Sequence, residues 1–516
     1  MPESALTPGL LLLTSVGIVS GYFVLQKLGS RLLLLPPGPP SYPLIGQLLS
    51  MPRRSEGRAF MDWSRRLNSD IISFSFLGKT IIVLNSVEVA NDLLERRSST
   101  HSGRYCPPMI ASPNLMNMKD FVAFMDSNEL WKKQRRTMSA RLNKQAVAVF
   151  RGLQELEARR LLVRLLAHAG TVTSDLLNEE FYRATSAIFL ESVYGYELKS
   201  PQDRFFVDNM KMNANLSKAA LPTAFLVNLL PCLEHIPEWV PGAGWKRIAH
   251  EWREQKDRTM GEVYEWAKQR IMSGADESSI VALTFKEAQE LGWDEASVDA
   301  FCKNVATGLL AAGTESSTLA MLWFVLAMAL YPEVQEKAQM EIDMIVGSNR
   351  LPTVQDRIKL PYIDRVLTET MRWHPSVPLG VPHICTEENE YRGYRIPKGA
   401  MIFGHIGATV LDERVYKNPH KFEPDRFLDP TVPMPLVFGW GQRICPGQHF
   451  FRETFYLEVV MILATMNIKK CRDENGEEVI PTEETTENGA IARPLSFKVE
   501  VTPRSELHAE LIRTAA

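Results

Sequence analysis

Apolar positions follow three different rhythms along this chain. They form one unbroken run from Gly9 to Leu25, recur mostly at helical spacing from Leu142 to Leu330, and crowd with β-branched residues in short stretches such as Ile71–Phe76 and Met401–Gly404. The first run just reaches the length that spans a bilayer and contains no charge. No basic residue precedes it, while Lys27 and Arg31 follow it. That pattern favours an uncleaved anchor, with the bulk of the chain on the cytoplasmic side, over a removed leader. Residues 1–35 are therefore expected to be a membrane anchor. Residues 36–46, opening with Pro36-Pro37-Gly38-Pro39-Pro40, are expected to be a stiff hinge, and 47–516 the globular domain.

Within that domain, Ile71–Phe76 and Thr80–Leu84 flank Gly78-Lys79 and predict a hairpin, and Val87–Arg97 predicts a helix. Short strands are predicted at Val381–Ile384, Tyr391–Ile396 and Met401–Gly404, with Pro397-Lys398-Gly399 as a turn. Leu142–Leu283 reads as mostly helical, broken near 200–203 and at Pro231, Pro237 and Pro241. The longest helix is predicted from Asp294 to Tyr331, stopped by Pro332, and spans about 55 Å at about 1.5 Å per residue. It is apolar on most sides, so it should be buried. The fold class expected is mainly α with small β-sheets.

Places where these rhythms fail are the candidates for chemistry. Inside the long helix, Ala311-Ala312-Gly313-Thr314-Glu315-Ser316-Ser317-Thr318 puts a carboxylate and several hydroxyls where apolar residues belong. Either the helix kinks and satisfies them, or they line a groove for water and a small polar ligand. The stretch 101–126 is irregular and too long for a connector. Residues 236–245, with two tryptophans and little charge, suit either a membrane surface or the core. Trp131 and Arg135 lie four apart on one helix face, able to meet one anionic ligand or to be part of a solvated basic face. Glu369 and Arg372 share a face of an apolar helix ended by Pro375, where an interior pair needs a third partner, and Arg426 is available. Finally, Phe438–Gly447 carries Cys445 ahead of Pro446 and a helical run. Cys445 is expected at an N-cap and Pro446 at the first helical position, where the helix dipole favours a thiolate fit for a soft metal. Gly439 and Gly441 allow close approach to a flat partner, and Arg443 can reach an anionic group on it.

Composition narrows the class. With 516 residues, 45% hydrophobic, 23% charged and a net charge of -3, the chain is globular and not a general nucleic-acid binder. Its six cysteines form no C-x-x-C pair, which suggests neither a zinc module nor a disulfide framework.

Taken together, the motifs make the chain resemble the cytochrome P-450 family, microsomal type, as found in fungi and especially basidiomycetes. F-G-W-G-Q-R-I-C-P-G matches F-G-x-G-x-R-x-C-x-G at every fixed position, E-T-M-R matches E-x-x-R, and P-D-R-F, W-K-K-Q-R and A-G-T-E-S-S match the further motifs in order. The resemblance implies haem b held between the long central helix and the cysteine loop, with Cys445 as axial iron ligand. It implies Trp131, Arg135, His383 and Arg443 at the haem propionates, although His383 also suits a core position. Phe438 and Gly447 would complete the cofactor loop, Glu369, Arg372 and Arg426 a structural triad, and Glu315 with Ser316 a proton relay. Electrons would come from NADPH through a reductase, since the chain has no flavin or nicotinamide fingerprint, with cytochrome b5 as a further donor. Lys132, Lys133 and Arg136 would serve docking. The expected location is the endoplasmic reticulum membrane, single-pass, with lipid as a partner, no nucleic acid, and a cytoplasmic catalytic domain.

The implied reaction is NADPH- and O2-dependent hydroxylation or epoxidation of a hydrophobic small molecule: a terpenoid or polyketide secondary metabolite, or a polycyclic aromatic xenobiotic. Its expected pocket wall is the 101–126 loop, Val305–Gly313, Pro378–Val381 and Asn488–Ile491. Alternatives are a haem-thiolate isomerase or dehydratase, and a non-catalytic haem-binding protein. Two departures from the family pattern stand out. Ser316 replaces the usual threonine, which removes the methyl that restrains its rotamer, and Gly407 stands where a tryptophan is usual.

Overall fold

Several helices begin where the sequence supplies a side-chain cap, as at Asn128, Thr173, Ser279 and Asp294. The computed structural model of the chain describes residues 33–43, 45–52, 55–220, 224–486 and 491–515. The expected anchor at Gly9–Leu25 lies outside the described residues. Helix α1 (Glu56–Leu67) leads into the hairpin β1 (Ile71–Phe76) and β2 (Lys79–Leu84), and the irregular segment after β3 (Gly103–Arg104) ends at α2 (Glu129–Leu142). Next come α3 (Arg151–Ala167), β4 (Gly170–Thr173), α4 (Ser174–Tyr194), α5 (Arg204–Ala220), α6 (Trp245–Met272) and α7 (Ile280–Glu290). Helix α8 (Glu295–Leu330) crosses the domain and is followed by α9 (Pro332–Ile345) and α10 (Pro361–Trp373). The chain then forms β5 (His383–Ile384), β6 (Asn389–Tyr391), β7 (Tyr394–Ile396) and β8 (Met401–Gly404). It closes with α11 (Gln448–Thr465), β9 (Met466–Arg472), β10 (Glu478–Val479), β11 (Lys498–Pro503) and α12 (Glu506–Thr514).

This is a mainly helical protein with small sheets. The largest sheet has the order β1-β2-β8-β5-β3, with β8 parallel to β2 and antiparallel to β5. Strand β5 thereby carries His383 to the edge of the core. A second sheet runs β10-β9-β11-β4, and β6 pairs with β7. Residues ahead of α1 lie along β1: the Ser73 N–H donates to the Pro37 carbonyl at 2.8 Å and its hydroxyl to that of Pro36 at 2.6 Å.

Helix α8 is the axis of the core. Asp294 caps it by accepting from the Ser297 N–H, and Pro332 starts the next helix. It packs on α4, α10 and α11, and every residue from Leu319 to Ala329 is buried. Its interrupted middle does not break it. The hydroxyls of Thr314, Ser316 and Thr318 donate to the carbonyls four residues back at 2.9, 2.8 and 2.8 Å, so they are satisfied within a continuous helix. Trp323 lies buried within it and stacks on His374 at 3.8 Å.

Beside α10 the Glu369 carboxylate accepts from Arg372 Nε and Nη2 at 2.7 and 2.8 Å and from Arg426 Nε at 3.0 Å. The Glu423 N–H adds a bond at 2.8 Å, and Arg372 Nη1 and Arg426 Nη1 donate to the carbonyls of Val410 and Lys417. All three side chains are buried. One carboxylate facing two guanidiniums is tolerable there because the remaining donors end on carbonyls.

The 101–126 segment is irregular except for β3 and one helical turn at Pro108–Ala111, yet it is tied down from outside. Asn228 accepts from the Met109 N–H at 3.0 Å, Arg253 donates to the Pro113 carbonyl at 2.7 Å, and Lys256 to that of Asn117 at 3.2 Å. The His250 ring meets the Asn114 carbonyl at 3.0 Å.

One buried group works against the fold. Glu458 on α11 is 2% exposed and its Oε1 has no partner; burial pushes its carboxyl up to about 8, Arg164 opposing and Glu157 adding to the shift. A carboxyl that titrates higher folded than unfolded costs stability progressively as pH rises from its ordinary 4.5 towards 8. Glu458→Gln is therefore expected to raise Tm more near pH 8 than near pH 5; an equal shift at both would show that this carboxyl ionises as freely folded as unfolded.

Candidate active site

The Phe438–Gly447 loop closes on itself, the Cys445 N–H donating to the Phe438 carbonyl at 2.8 Å. Gly439 and Gly441 have φ of +81° and +52°, so both need glycine. They need it for different reasons. Gly439 lines the cavity described below, whereas a Cβ on Gly441 would stand 2.6 Å from the Leu94 carbonyl oxygen. The close approach expected of both glycines therefore belongs to Gly439 alone.

Helix α11 starts at Gln448 with Gly447 as its N-cap, which corrects the expected start at Cys445-Pro446. Pro446 and Gly447 instead make a turn that brings the Gly447 and Gln448 N–H groups to the sulfur. The expected depression of the thiol does not follow. Burial pushes it up, and those two N–H groups and Arg135 only partly offset this. A thiolate in this position calls for a cation beside it.

Around one end of the same cavity stand three guanidiniums. Arg443 lies over the Trp131 ring at 3.9 Å and donates from Nε to the Ser102 carbonyl at 2.8 Å, leaving a buried Nη2 without a partner. Arg135 donates to the Ile444 carbonyl, and Arg104 donates to that of Val381 while its Nε has no partner. Among the described residues no carboxylate pairs with any of them, although Asp126 acts on Arg443 through space. Burial pushes Arg443 down to about 9, and burial with its two arginine neighbours holds Arg104 well below its ordinary value. The His383 Nδ1–H donates to the His101 carbonyl at 2.7 Å, which turns Nε2 to the cavity. Both ring nitrogens of His101 are buried without partners. Unpaired buried donors in this number fit an anionic partner. A flat macrocycle with two carboxylates and a metal at its centre satisfies both the guanidiniums and the sulfur, so the residues present fit haem.

The cavity measures about 350 Å³. Its floor is Phe438, Gly439, Cys445 and Gly447, its edge Trp131, Arg104, Arg135, His383 and Arg443, and its opposite wall Gly308, Ala312, Gly313, Ser316 and Ala320 of α8. Val122, Ala123, Val377, Gly380 and Val381 also line it, and none of its described lining residues is acidic. Of the expected pocket wall, Asn488–Ala490 lie outside the described residues, and Ile491 lines a second cavity of about 1040 Å³ beyond His374 and Pro375. Gly407 borders that second cavity and donates its N–H to the Pro378 carbonyl at 2.8 Å.

Glu315 and Ser316 are not brought together by a hydrogen bond. The Ser316 hydroxyl donates to the Ala312 carbonyl on the cavity wall. The Glu315 carboxylate points away from it, accepting from Ser217 at 3.4 Å and facing Arg493 at 3.5 Å. Glu369 and Arg372 of α10, and Arg426 which joins them, are outside the cavity lining. The sequence reading missed Arg104, His101 and Arg493. Arg104 and His101 fall in the irregular segment, where no periodicity fixes direction, and Arg493 precedes β11 without any motif. It also missed Phe189 of α4, whose ring tip would stand 2.1 Å from a Cβ placed on Gly313.

The family model described as Cytochrome P450 matches residues 36–501. The chain is 36% identical over 510 residues to Cytochrome P450 monooxygenase 98 of Postia placenta, covering 97% of this chain and 96% of that protein. It is 34% identical over 520 residues to Cytochrome P450 monooxygenase claR of Ampulloclitocybe clavipes, covering 98% and 94%. A cytochrome P450 monooxygenase of Armillaria gallica is 34% identical over 484 residues, 93% of each chain.

The contact between Phe189 and Gly313 generates a test. Alanine at 313 gains about 1 kcal/mol of helix propensity but overpacks Phe189 at a cost of about 1–3 kcal/mol. Gly313→Ala is therefore expected to lower stability to denaturant, and adding Phe189→Leu to recover part of the loss. Equal stability of Gly313→Ala and the wild type would mean the ring yields freely.

Proposed function

The chain belongs to the cytochrome P450 family of haem-thiolate monooxygenases, and on that premise we propose that it hydroxylates or epoxidises a hydrophobic small molecule with electrons from NADPH delivered by a reductase. The observation that carries this reading is one cavity in which a half-buried thiol faces an apolar wall with no carboxylate among its described residues while three guanidiniums crowd one edge. Cys445 holds the haem iron. Trp131, Arg104, Arg135, His383 and Arg443 would take the propionates, and Phe438, Gly439 and Gly447 line the floor that would receive the macrocycle. Bound there, haem with a thiolate ligand activates dioxygen, one oxygen atom entering the substrate and the other leaving as water.

The protein's own part is binding, exclusion of water and proton supply. Val122, Leu309, Val377 and Val381 desolvate the substrate, consistent with a terpenoid, a polyketide or a polycyclic aromatic. Ser316 passes a proton into the cavity from its hydroxyl, and Glu315 resupplies it. The Glu369–Arg372–Arg426 triad keeps α10 fixed against the segment that precedes the cysteine loop.

The same reading puts the protein on the endoplasmic reticulum membrane, anchored by residues 9–25, with its catalytic domain in the cytoplasm. Trp239 stands 82% exposed and Leu226 67%, while Trp245 packs inward, so the 236–245 loop contributes one tryptophan to a membrane contact. Lys132, Lys133 and Arg136 on the exposed side of α2 serve reductase docking.

Purified protein, reduced under carbon monoxide, should show the thiolate-type Soret band. With reductase and NADPH it should then convert at least one member of a panel of terpenoids, polyketides and polycyclic aromatics, with turnover falling as salt rises. Absence of the band would remove the haem-thiolate reading; a band without substrate-dependent NADPH consumption would favour a non-catalytic haem protein. Because Ser316 lacks the methyl that restrains a threonine hydroxyl, Ser316→Thr should raise the ratio of product to NADPH consumed. An unchanged ratio would make the serine neutral.

A further inference from the structure

The proton-relay carboxylate is held by two groups from other parts of the chain, one of which is itself fixed by a third. Glu315 Oε1 lies 3.5 Å from Arg493 Nη2, and Oε2 accepts from the Ser217 hydroxyl of α5 at 3.4 Å. Arg493 donates from Nη1 to Asn178 Oδ1 of α4 at 2.7 Å, which fixes the far side of its guanidinium. Its backbone is fixed as well: the Ala492 N–H donates to the Ser376 carbonyl at 2.9 Å, and the Ala492 carbonyl accepts from Trp323 Nε1 of α8 at 3.0 Å. Ser376 in turn donates from its hydroxyl to the Ser316 carbonyl at 3.1 Å. The segment carrying Arg493 is thus bonded to the residue on either side of the relay: to Glu315 by a side chain, and to Ser316 through Ser376.

Stability does not account for this arrangement. Glu315 is 19% and Arg493 39% exposed, and a pair so placed contributes about 0–1 kcal/mol. What the pair does determine is position. Both carboxylate oxygens are engaged away from Ser316, on the side of α8 that faces α4 and α5, and the exposed guanidinium marks where that side meets solvent.

We propose that Arg493 is the positioning residue of the proton relay: it sets Glu315 at the solvent end, where the carboxylate takes up a proton from water before rotating to pass it to Ser316 Oγ. In that transfer Glu315 loses the proton it gained, and Ser316 accepts it as its own hydroxyl proton leaves for the cavity, so the serine ends unchanged. Ser217 and Asn178 tie the resting position to α5 and α4, so the relay is loaded only when those helices are seated against α8. This inference rests on the monooxygenase reading and goes beyond it, since that reading requires a relay but no particular counter-ion.

The test uses the haem-loaded full chain with reductase and NADPH, on whichever panel compound the wild type converts. Arg493→Gln should lower coupled product formation about tenfold, less than the full 10²–10⁴ range of an acid–base group because Arg493 acts through Glu315. The lost NADPH should appear as hydrogen peroxide, the solvent deuterium effect on product formation should grow, and Arg493→Lys should restore most of the loss. Driven instead by iodosylbenzene, an oxygen-atom donor that needs no protons, Arg493→Gln should match the wild type. Wild-type coupling in Arg493→Gln, or an equal loss with iodosylbenzene, would overturn the proposal, the latter by showing that Arg493 shapes the pocket. The thiolate Soret band reports folding in each variant. Should Arg493→Gln lack it, Asn178→Ala, which releases the guanidinium from α4, carries the same comparison. A wild type with the band but no NADPH-driven product would remove the monooxygenase reading, and this inference with it.

Discussion

Positive charge held out of water is the constraint on which this site depends. Arg104, Arg135 and Arg443 are drawn round one edge of a cavity with no carboxylate among the described residues paired to them, and Cys445 sits half-buried in its floor. Neither arrangement is stable by itself, because a desolvated guanidinium and a desolvated thiolate each require an opposite charge at close range. A dianionic macrocycle carrying a cationic metal answers both at once. Much of the surrounding architecture serves to keep these groups where water cannot answer them instead: β5 places His383, β3 pairs Arg104 beside it, and α2 presents Trp131 as a face for Arg443.

The opposite wall follows a different logic. Helix α8 has to be apolar to cross the core, and it carries the hydroxyls of Thr314, Ser316 and Thr318 by bonding them back to its own backbone. That removes the penalty of burying them without opening the helix, and it leaves Ser316 on the cavity and Glu315 turned outward. Gly313 is small because Phe189 fills the space its side chain would occupy. One turn of helix thus reconciles core packing, a polar relay and a cavity wall.

Much of this was legible in the sequence where a residue's spacing or backbone demand is local. The hairpin from Ile71 to Leu84, the continuous run to Pro332, the glycines of the cysteine loop, and the need of Glu369 and Arg372 for a third partner all follow from short-range rules. The start of α11 was misplaced by a few residues because Pro446-Gly447 closes a turn where the general preference for proline at the first helical position suggested a helix. Arg104, Phe189 and Arg493 were not legible at all. Each acts across a long sequence separation, and neither a two-residue strand, a helix buried on most sides nor an irregular stretch shows from its own sequence which distant group a side chain meets.

The fastening of the 101–126 segment has a consequence for how this enzyme could diversify. The segment lines the cavity at Val122 and Ala123, yet it is held by Asn228 and by His250, Arg253 and Lys256 of α6 through its backbone carbonyls and N–H groups. Bonds to the main chain are indifferent to side-chain identity. The cavity-facing residues can therefore be exchanged while the tether stays intact, whereas a transplanted loop of different length would lose its anchor points. The unit of inheritance for a new substrate range is then the loop together with residues 228–256, two stretches distant in sequence that must be recombined as one block.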